Sequence, residues 1–206
     1  MLDRDHLRQI SETTLAHYDE TATAFWKGTR DHDVSQNIQA LLNHLEPGPR
    51  RILDFGCGPG RDLAAFTALG HEAVGLDGSA RFVAMARDHT GCEVLHQDFL
   101  ALDLPLASFD GVFANAALFH VPAQELPRVL GHLHATLRPG GAFFSSNPHG
   151  RNEEGWNGRR YGTYLDPPSW RRLATSAGFV ELEHYYRPPG LPRAQQPWLA
   201  TVWRKT

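Results

Sequence analysis

Three glycines alternate with other residues just after an apolar run that contains one acid. The run spans residues 51–55 and includes Asp54. The glycines are Gly56, Gly58 and Gly60. Because glycine has no Cβ, the backbone can turn sharply there and approach a bound molecule closely. A helix with Asp62 in its first turn is predicted to follow, and this order of elements is typical of the first half of a nucleotide-binding unit.

The spacing of the glycines distinguishes between nucleotide-like ligands. A dinucleotide site is expected to read G-x-G-x-x-G, with the pyrophosphate on the helix N-terminus. Here the third glycine comes one residue early, and Arg61 occupies the place that it would need. The pattern therefore disfavours a dinucleotide. Two possibilities remain: the turn binds another nucleotide-like ligand, or it is an ordinary strand-helix turn without a ligand.

A second acid, Asp77, ends the predicted strand 72–77. It follows the glycine turn by about 20 residues, where an acid accepts hydrogen bonds from ribose hydroxyls. Asp77 could instead cap the helix predicted for residues 79–89, since Asp is favoured at an N-cap. Ser79 is also a suitable cap, which leaves Asp77 free to bind a ligand.

Residues that could surround an adenine follow the third predicted strand, 93–96. They are Gln97, Asp98 and Phe99. The same topology places them at the carboxyl edge of the sheet. There Asp98 would accept a hydrogen bond from the exocyclic amine, and Phe99 would supply an apolar face.

Candidate catalytic residues follow the fourth and fifth predicted strands, 108–115 and 142–147. They are Asn115, His120 and Asn147. Ligands of open α/β sheets bind outside the carboxyl ends of the strands, so the segment after Asn115 would leave the sheet beside the reacting centre. An imidazole or an amide at that place would orient the substrate.

The remaining elements are predicted from apolar periodicity and alternate as in an α/β domain. Helices are expected at residues 7–25, 34–45, 124–137 and 168–177. Strands are expected at 179–187 and 198–204, joined by a proline-rich loop that closes the sheet edge. Two polar segments, 25–37 and 149–164, lack this periodicity and are interpreted as loops that cover the site.

The composition indicates one globular domain and argues against several classes of partner. A formal charge of -3 over 206 residues is unlike the basic excess of general nucleic-acid surfaces. No apolar run reaches the ~20 residues that cross a bilayer, and the N-terminus lacks the order of a signal peptide. Cys57 and Cys92 have no metal-ligand spacing, so free thiols, a cytoplasmic location and no bound metal are expected.

Four motifs resemble those of class I S-adenosylmethionine (SAM)-dependent methyltransferases over about residues 34–206. They are Asp54–Gly60, Leu76–Asp77, Gln97–Phe99 and Leu137–Gly141. The resemblance implies a single methyltransferase domain, 1–206, with an α/β Rossmann-like fold. Its seven-stranded sheet would be mostly parallel with an antiparallel last strand, and an N-terminal helical lid (1–48) would cover a cofactor-binding core (49–206). SAM is the implied cofactor, and the same fold without this cofactor remains the alternative.

A narrower resemblance rests on two N-terminal motifs, His17–Glu20 and Phe25–Asn37. They are similar to the start of the methyltransferase domain of ovothiol synthases, and to the free-standing methyltransferases of ovothiol biosynthesis. The resemblance implies transfer of a methyl group to the imidazole π-nitrogen of 5-thiohistidine. In the composite enzymes an iron-dependent sulfoxide synthase precedes this domain, so a separate protein is expected to supply the small-molecule substrate here.

The implied ligands assign roles to individual residues. Expected cofactor-binding residues are Tyr18, Trp26, Thr29, Asp54, Gly56, Gly58, Gly60, Arg61, Asp77, Gln97, Asp98, Phe99 and Asn115. Expected substrate-binding residues are Phe25, His32, Asp33, Asn147, Arg159, Arg160 and Tyr161. Arg159 and Arg160 would grip the carboxylate of a zwitterionic amino acid, and Asn147 or Asp33 would receive its ammonium group. The structural alternatives are a core aromatic for Tyr18 and a solvated arginine pair.

Two other functions remain open at this point. The protein could methylate a nitrogen, sulfur or oxygen atom of another small amino-acid-derived metabolite. It could also be a cofactor-binding module without catalysis, which the combination of the glycine turn, Asp77 and the polar N-terminal segment disfavours.

Overall fold

The computed structural model describes residues 2–206 and contains a seven-stranded sheet between two layers of helices. The strands are β1 (Arg51–Phe55), β2 (Glu72–Asp77), β3 (Val94–His96), β4 (Phe109–Asn115), β5 (Leu137–Pro148), β6 (Glu153–Asn157), β7 (Arg160–Tyr164), β8 (Phe179–Arg187) and β9 (Trp198–Lys205). The helices are α1 (Arg4–Thr29), α2 (Ser35–Leu42), α3 (Arg61–Ala68), α4 (Ala80–Thr90), α5 (Leu126–Thr136) and α6 (Pro167–Ser176).

The sheet has the strand order β3-β2-β1-β4-β5-β9-β8. Strands β1 to β5 pair in parallel, and β9 runs antiparallel to both β5 and β8. The predicted α/β fold, with seven mostly parallel strands and an antiparallel last strand, is therefore confirmed. The order of the strands reverses at β1, and ligands of such sheets bind at this point, outside the carboxyl ends of the strands.

The central strands are apolar because both faces of the sheet are covered. On β1, the Leu53 and Phe55 side chains pack in one buried cluster with α5 and α6, whereas Ile52 packs in the other with α2, α3 and α4. All three side chains are completely buried, and replacing such a residue by Ala costs about 2–5 kcal/mol. This core fixes the strand ends that carry the polar residues.

Helix α1 is longer than the sequence predicts. Residues 25–29, expected to begin a loop, form its last turn, so only residues 30–34 connect α1 to α2. The prediction of a long polar loop at 25–37 is therefore wrong, because packing against the domain stabilises a segment of weak apolar periodicity as a helix. The N-terminus of α4 holds α1, since Asp19 Oδ1 accepts hydrogen bonds from Ser79 Oγ and from the Arg81 amide.

Strand β2 and the start of α4 agree closely with the sequence-based prediction. Residues 72–77 form the strand, and α4 begins directly after Ser79. The Ser79 Oγ accepts a hydrogen bond of 3.1 Å from the Phe82 amide, so Ser79 is the N-cap. The Asp77 side chain is therefore not needed as the cap of this helix.

Residues 153–164 form a β-hairpin, so the prediction of a loop over 149–164 is wrong for these residues. Strands β6 and β7 pair antiparallel around a turn in which Gly158 has a φ of 62°. The hairpin packs on the rest of the domain through two buried hydrogen bonds, from the Tyr161 amide to Thr14 Oγ1 and from Thr163 Oγ1 to the Val121 carbonyl. These tertiary contacts stabilise strands that have few aliphatic residues.

Within residues 2–206, none of the helices combines the length and the apolar character needed to cross a bilayer. The same part of the chain contains no cluster of three or more histidine, cysteine or acidic side chains that could hold a metal ion.

Candidate active site

A cavity of about 670 Å³ lies at the carboxyl ends of β1, β2 and β4. Its wall includes the glycine turn after β1, Asp77, the segment after β3, and Asn115 with the residues that follow it. Helix α1 and residues 32–34 cover the opposite side. This volume lies in the range of sites for cofactors and drug-sized ligands, about 300–1,000 Å³.

The glycine turn brings backbone to the cavity wall at two positions, Gly56 and Gly58. Gly56 has a φ of 78°, and a Cβ there would lie 2.4 Å from the Ala117 Cβ. Gly58 has a φ of 53°, and its nearest neighbour would be a Phe25 ring atom at 3.8 Å, so this position opens into the cavity. Gly60 lies outside the cavity wall and is the left-handed N-cap of α3, with a φ of 96°.

Asp77 connects the glycine turn to the start of α4. Its Oδ2 accepts a hydrogen bond of 2.9 Å from the Gly58 amide, and its Oδ1 accepts one of 2.9 Å from the Ser79 amide. Burial raises the pKa of the Asp77 carboxyl group to about 6, against the opposing effect of these two amides. Each carboxylate oxygen retains a second lone pair for a ligand hydroxyl.

Asp98 and Phe99 line the cavity, but Gln97 does not. The Asp98 carboxylate accepts hydrogen bonds from the Ser11 hydroxyl and the Leu100 amide, and the Phe99 ring stacks on buried Phe55 at 4.3 Å. The Gln97 side-chain amide instead exchanges two hydrogen bonds with the Asp103 backbone, each of 2.9 Å. Gln97 therefore stabilises the loop 97–103, and the expectation that it contacts the cofactor does not fit this position.

A chain of hydrogen bonds crosses the cavity floor. Arg61 makes a bidentate ion pair with Asp62, with distances of 2.6 and 3.0 Å, and donates to the Thr29 carbonyl at 3.1 Å. The Asn115 amide donates to Asp62 Oδ2 at 3.1 Å and accepts from the Asn37 amide at 3.0 Å. The chain joins α1, α3, β4 and α2 around one side of the cavity.

Arg187, at the end of β8, extends this network to the far edge of the sheet. Its guanidinium group donates to Asn37 Oδ1 at 2.7 Å and to the Asp33 carbonyl at 3.0 Å. The Tyr185 hydroxyl also donates to Asn37 Oδ1, at 2.9 Å. Asn37 thus connects the N-terminal helices to both β4 and β8.

His120 and Tyr18 form a hydrogen-bonded pair at the cavity wall. The Tyr18 hydroxyl lies 2.7 Å from His120 Nε2, and His120 Nδ1 lies 2.7 Å from the Tyr161 carbonyl oxygen. Burial lowers the pKa of His120 to about 4, so the imidazole is neutral near pH 7. Burial also raises the pKa of the Tyr18 hydroxyl, while Arg160 acts in the opposite direction.

The arginines of this region differ in their partners. Arg160 and Arg187 line the cavity, and neither makes a salt bridge with a carboxylate within residues 2–206. Arg159 is exposed and outside the cavity, where it makes a bidentate ion pair with Glu20. The prediction that both arginines bind the substrate carboxylate does not fit Arg159, because the turn of the hairpin directs its side chain to the surface.

Five residues expected in the N-terminal segment line the cavity. They are Phe25, Trp26, Thr29, His32 and Asp33. The Asp33 carboxylate is exposed and accepts a hydrogen bond from the Ser35 amide. The Ser35 side chain and the Ser35 amide both lower the pKa of the Asp33 carboxyl group. Most of this segment is helical and these five residues line the cavity, so their contact with a ligand stays a prediction.

Three further candidates lie outside the cavity. Asp54 is buried, its Oδ2 has no hydrogen-bond partner within residues 2–206, and burial with nearby Asp62 raises the pKa of its carboxyl group well above the usual range. The Asn147 side chain borders a separate apolar void of about 20 Å³ beside Trp170. The Tyr161 ring packs on Trp156 at 5.4 Å, and only its carbonyl reaches the site, through His120. The expectation that these three side chains contact a ligand does not fit their place outside the cavity, and we interpret them as structural.

Sequence reasoning missed several residues of the cavity wall. They include Ser11, Thr14, Asn37, Asp62, Phe119, Arg187 and Trp198. Asn37 belongs to the motif Phe25–Asn37, and Asp62 lies in the first turn of the helix predicted after the glycines, but neither pattern indicates a ligand role. Arg187 and Trp198 come from the last two strands, where no local pattern indicates that they approach the N-terminal helices.

Residues 52–141, which carry the glycine turn, Asp77, Asp98 and Asn115, match the family model of a methyltransferase domain. By this similarity, residues 52–141 form a methyltransferase domain, and SAM is its cofactor. The match covers the part of the chain that forms the cofactor side of the cavity. The helices α1 and α2 and the strands β6 to β9 lie outside it.

Two curated methyltransferases and one solved structure illustrate the similarity. The chain is 34% identical over 129 residues to 24-methylenesterol C-methyltransferase 2 of Oryza sativa, which is 58% of this chain and 33% of that protein. It is 33% identical over 141 residues to malonyl-[acyl-carrier protein] O-methyltransferase of Erwinia pyrifoliae, which is 65% and 53% of the two chains. The chain thus spans about half or less of the length of these relatives.

The structure of 1,6-didemethyltoxoflavin-N1-methyltransferase of Burkholderia thailandensis matches with a TM-score of 0.81. The sequences are 23% identical, and the match covers 100% of this chain and 92% of the other. At this identity the similarity establishes the fold, including the N-terminal helices and the last strands. It does not establish the methyl acceptor.

The residues of the methyltransferase cavity fit the chemistry of SAM. Gly58 leaves open space beside the backbone, Asp77 offers free lone pairs for ribose hydroxyls, and Asp98 lies next to the Phe99 ring for an adenine. Asp62 and Arg61 provide both charges beside the turn for a zwitterionic amino-acid group. We propose these six residues as the cofactor contacts.

Proposed function

We propose that this methyltransferase transfers a methyl group from SAM to the imidazole π-nitrogen of 5-thiohistidine, the N-methylation of ovothiol biosynthesis. The acceptor is a small zwitterion with a carboxylate, an ammonium group and a heteroaromatic ring. Each of these groups has a complementary partner in the cavity. The cofactor class follows from the domain, whereas the acceptor is our proposal.

The observation that carries the proposal is the presence in the cavity of two arginines, Arg160 and Arg187, that have no carboxylate partner among residues 2–206. A guanidinium group that is partly buried and has no counter-ion favours an anionic ligand, and a carboxylate matches its planar donors. Arg187 uses two donors on Asn37 and Asp33, so further N–H groups remain available. This arrangement of the two arginines favours an amino-acid substrate over a sterol or another uncharged acceptor.

The ring of the acceptor has a matching environment as well. Phe119, Trp198 and Trp26 supply aromatic surface to the cavity wall, and His120 with Tyr18 supplies neutral hydrogen-bonding groups. Because the His120 pKa is lowered to about 4, no positive charge on this imidazole opposes a cationic cofactor or an imidazolium product near pH 7. The Asp33 carboxylate supports binding of the acceptor's ammonium group.

The chain's own contribution to the reaction is alignment and exclusion of water. When bound, SAM supplies an electrophilic methyl group on a sulfonium, so the protein needs no strong electrophile of its own. A neutral imidazole nitrogen already has a lone pair, and holding it in line with the methyl group accounts for much of the catalysis. Asn37 and Asn115 tie α2 to the cavity floor, and α1 covers the site from solvent.

The N-terminal segment supports the narrower assignment of the acceptor. The motif Phe25–Asn37, which resembles the ovothiol methyltransferases, contributes seven side chains to the cavity. They are Phe25, Trp26, Thr29, His32, Asp33, Val34 and Asn37. The part of the sequence that carries the resemblance is thus the part that would contact the acceptor. Both cysteines are free, which supports a reducing, cytoplasmic compartment in which a thiol substrate also persists.

The test is incubation of the purified protein with SAM and 5-thiohistidine, with histidine and histamine as parallel acceptors. We expect one added methyl group by mass spectrometry, located on the π-nitrogen by NMR. Histamine lacks the carboxylate and is expected to react poorly. If 5-thiohistidine is recovered unchanged while another acceptor is methylated, the assignment of the acceptor is wrong. Binding of S-adenosylhomocysteine without turnover of any acceptor would instead indicate a cofactor-binding module.

A further inference from the structure

The hydrogen bonds around His120 determine its tautomer. The Tyr161 backbone oxygen can only accept, so His120 Nδ1, 2.7 Å away, must carry the proton that is donated to it. In a neutral imidazole the other nitrogen is then an acceptor. His120 Nε2 therefore accepts from the Tyr18 hydroxyl, at 2.7 Å.

This arrangement fixes the direction of the Tyr18 hydroxyl proton. Arg160 acts on the Tyr18 hydroxyl as a hydrogen-bond donor, so it cannot accept that proton and uses at most one of the two lone pairs of the oxygen. The Tyr18 ring is held by Phe25 at 5.7 Å and by Phe82 at 5.4 Å, so it has little freedom to turn its hydroxyl elsewhere. The proton points to His120, and the oxygen presents a lone pair to the cavity that Tyr18 lines.

We propose that Tyr18 selects the reactive tautomer of the methyl acceptor. Its oxygen accepts a hydrogen bond from the N–H of one ring nitrogen, which leaves the lone pair on the opposite ring nitrogen. For 5-thiohistidine, Tyr18 accepts from the τ-nitrogen N–H, and the lone pair of the π-nitrogen forms the new bond to the methyl carbon. SAM, when bound, would supply this methyl group by breaking its S–C bond, whose electron pair leaves with S-adenosylhomocysteine, and the resulting imidazolium would lose its τ proton to solvent. Tyr18 is thus a specificity-determining residue, and His120 is a positioning residue that acts through it. The inference rests on the proposed function and replaces the expectation that Tyr18 contacts the methionine part of SAM.

The neutral form of His120 is essential to this hydrogen-bond arrangement. A protonated His120 would donate from both nitrogens and would turn the Tyr18 proton toward the cavity, so that Tyr18 would favour the wrong tautomer. Burial lowers the pKa of His120 to about 4, and the positive charge of Arg160 and the neighbouring His17 act in the same direction. The orientation of the Tyr18 hydroxyl is therefore retained at neutral pH.

One test uses the protein without any acceptor. In histidine ¹⁵N NMR of the free protein and of its S-adenosylhomocysteine complex, we expect His120 to be protonated on Nδ1 and unprotonated on Nε2. The His120→Gln variant identifies the signals. A proton on Nε2 overturns the inference, whichever acceptor the enzyme uses.

A second test measures the ratio of π- to τ-methylated products from 5-thiohistidine. We expect Tyr18→Phe to lower this ratio about tenfold, the effect of losing one hydrogen bond of ~1.4 kcal/mol. His120→Phe should lower it as well, although His120 does not touch the acceptor. A structural role alone would reduce the rate or the stability and leave the ratio unchanged, and that result would overturn the inference.

The matched control is His17→Gln. The His17 ring packs edge-on against Tyr18 at 5.7 Å without a hydrogen bond to its hydroxyl, so the product ratio should stay at the wild-type value. If the wild-type enzyme forms no methylated 5-thiohistidine, the proposed function fails. The NMR measurement then decides the orientation of Tyr18 independently.

Discussion

The Asn37 amide on α2 donates a hydrogen bond of 3.0 Å to the Oδ1 of Asn115 at the end of β4. The two residues are 78 positions apart in the chain, and their contact joins the N-terminal helices to the edge of the sheet that binds the cofactor. Because Asn37 also accepts from Arg187 and Tyr185, its side chain connects three separate parts of the cavity wall.

Replacing Asn37 by Ala should therefore destabilise the domain. Asn37 is buried, and the change would leave the Arg187, Tyr185 and Asn115 groups with fewer partners. We expect the free energy of unfolding to fall by about 1–3 kcal/mol, the cost of unsatisfied polar groups, measured by urea denaturation. The exposed neighbour Gln36 provides the control, since Gln36→Ala should change this free energy by less than about 0.5 kcal/mol.

Gly56→Ala should be far more harmful than a glycine substitution elsewhere. A Cβ at Gly56 would collide with Ala117 at 2.4 Å, and the φ of 78° strains any other residue. We expect a loss of about 2–4 kcal/mol of stability and weaker cofactor binding. Gly131→Ala on α5, where a Cβ meets nothing within 4 Å, should stabilise the protein by about 0.5–1 kcal/mol. Equal effects of the two changes would contradict this account of the turn.

Asp77→Ala should weaken the binding of S-adenosylhomocysteine. The change removes the carboxylate proposed for the ribose hydroxyls and also frees the Gly58 and Ser79 amides that it holds. We expect the dissociation constant from calorimetry to rise about 10- to 100-fold, as for the loss of a hydrogen bond to a charged group. Asp103→Ala, at an exposed residue outside the cavity, should leave it unchanged, and unchanged affinity in Asp77→Ala would refute the role of Asp77.

Asp77 should also make stability depend on pH. Its folded-state pKa of about 6 lies above the ordinary value of 3.8, so the folded protein binds the proton more tightly than the unfolded chain. The contribution of protonated Asp77 to the free energy of unfolding is fully present below pH 3.8 and is lost as the pH rises through about 6. This difference between the folded-state pKa and the ordinary pKa of Asp77 corresponds to roughly 3 kcal/mol. Between pH 4 and 7 the wild-type protein should therefore lose stability relative to Asp77→Asn, by urea denaturation, and a constant difference would contradict the raised pKa.

Arg160→Met should raise the KM for an amino-acid acceptor. Arg160 lines the cavity and has no carboxylate partner in the described part of the chain, residues 2–206, so its loss removes a proposed charged contact to the substrate and no ion pair of that part. We expect a rise of about 10- to 100-fold in initial-rate measurements at saturating SAM. Arg159→Met is the matched control, since Arg159 faces solvent and pairs with Glu20. A larger effect at Arg159 than at Arg160 would refute the assignment.

Much of the cofactor half could be predicted because its signals are local. The strand 72–77, its terminal Asp77 and the cap Ser79 follow from apolar runs, turn residues and capping preferences within a few residues of each other. The topology then places consecutive parallel strand ends at one edge, so the glycine turn, Asp77, Asp98 and Asn115 meet without further information. Asp54 and Gln97 were misassigned because the motif does not reveal which way a side chain points.

The acceptor half depends on contacts between distant segments, which only the tertiary structure decides. Arg159 and Arg160 are equivalent in the sequence, but the hairpin that separates them folds because it packs on α1 and on the segment after β4. Arg187 reaches the cavity because β8 lies beside β9 at the sheet edge, with Asn37 as its partner. The sequence by itself indicated the fold through local apolar patterns, and the class of cofactor through the resemblance of its motifs to a known family. The packing of the two chain ends against each other decided which side chains face the acceptor.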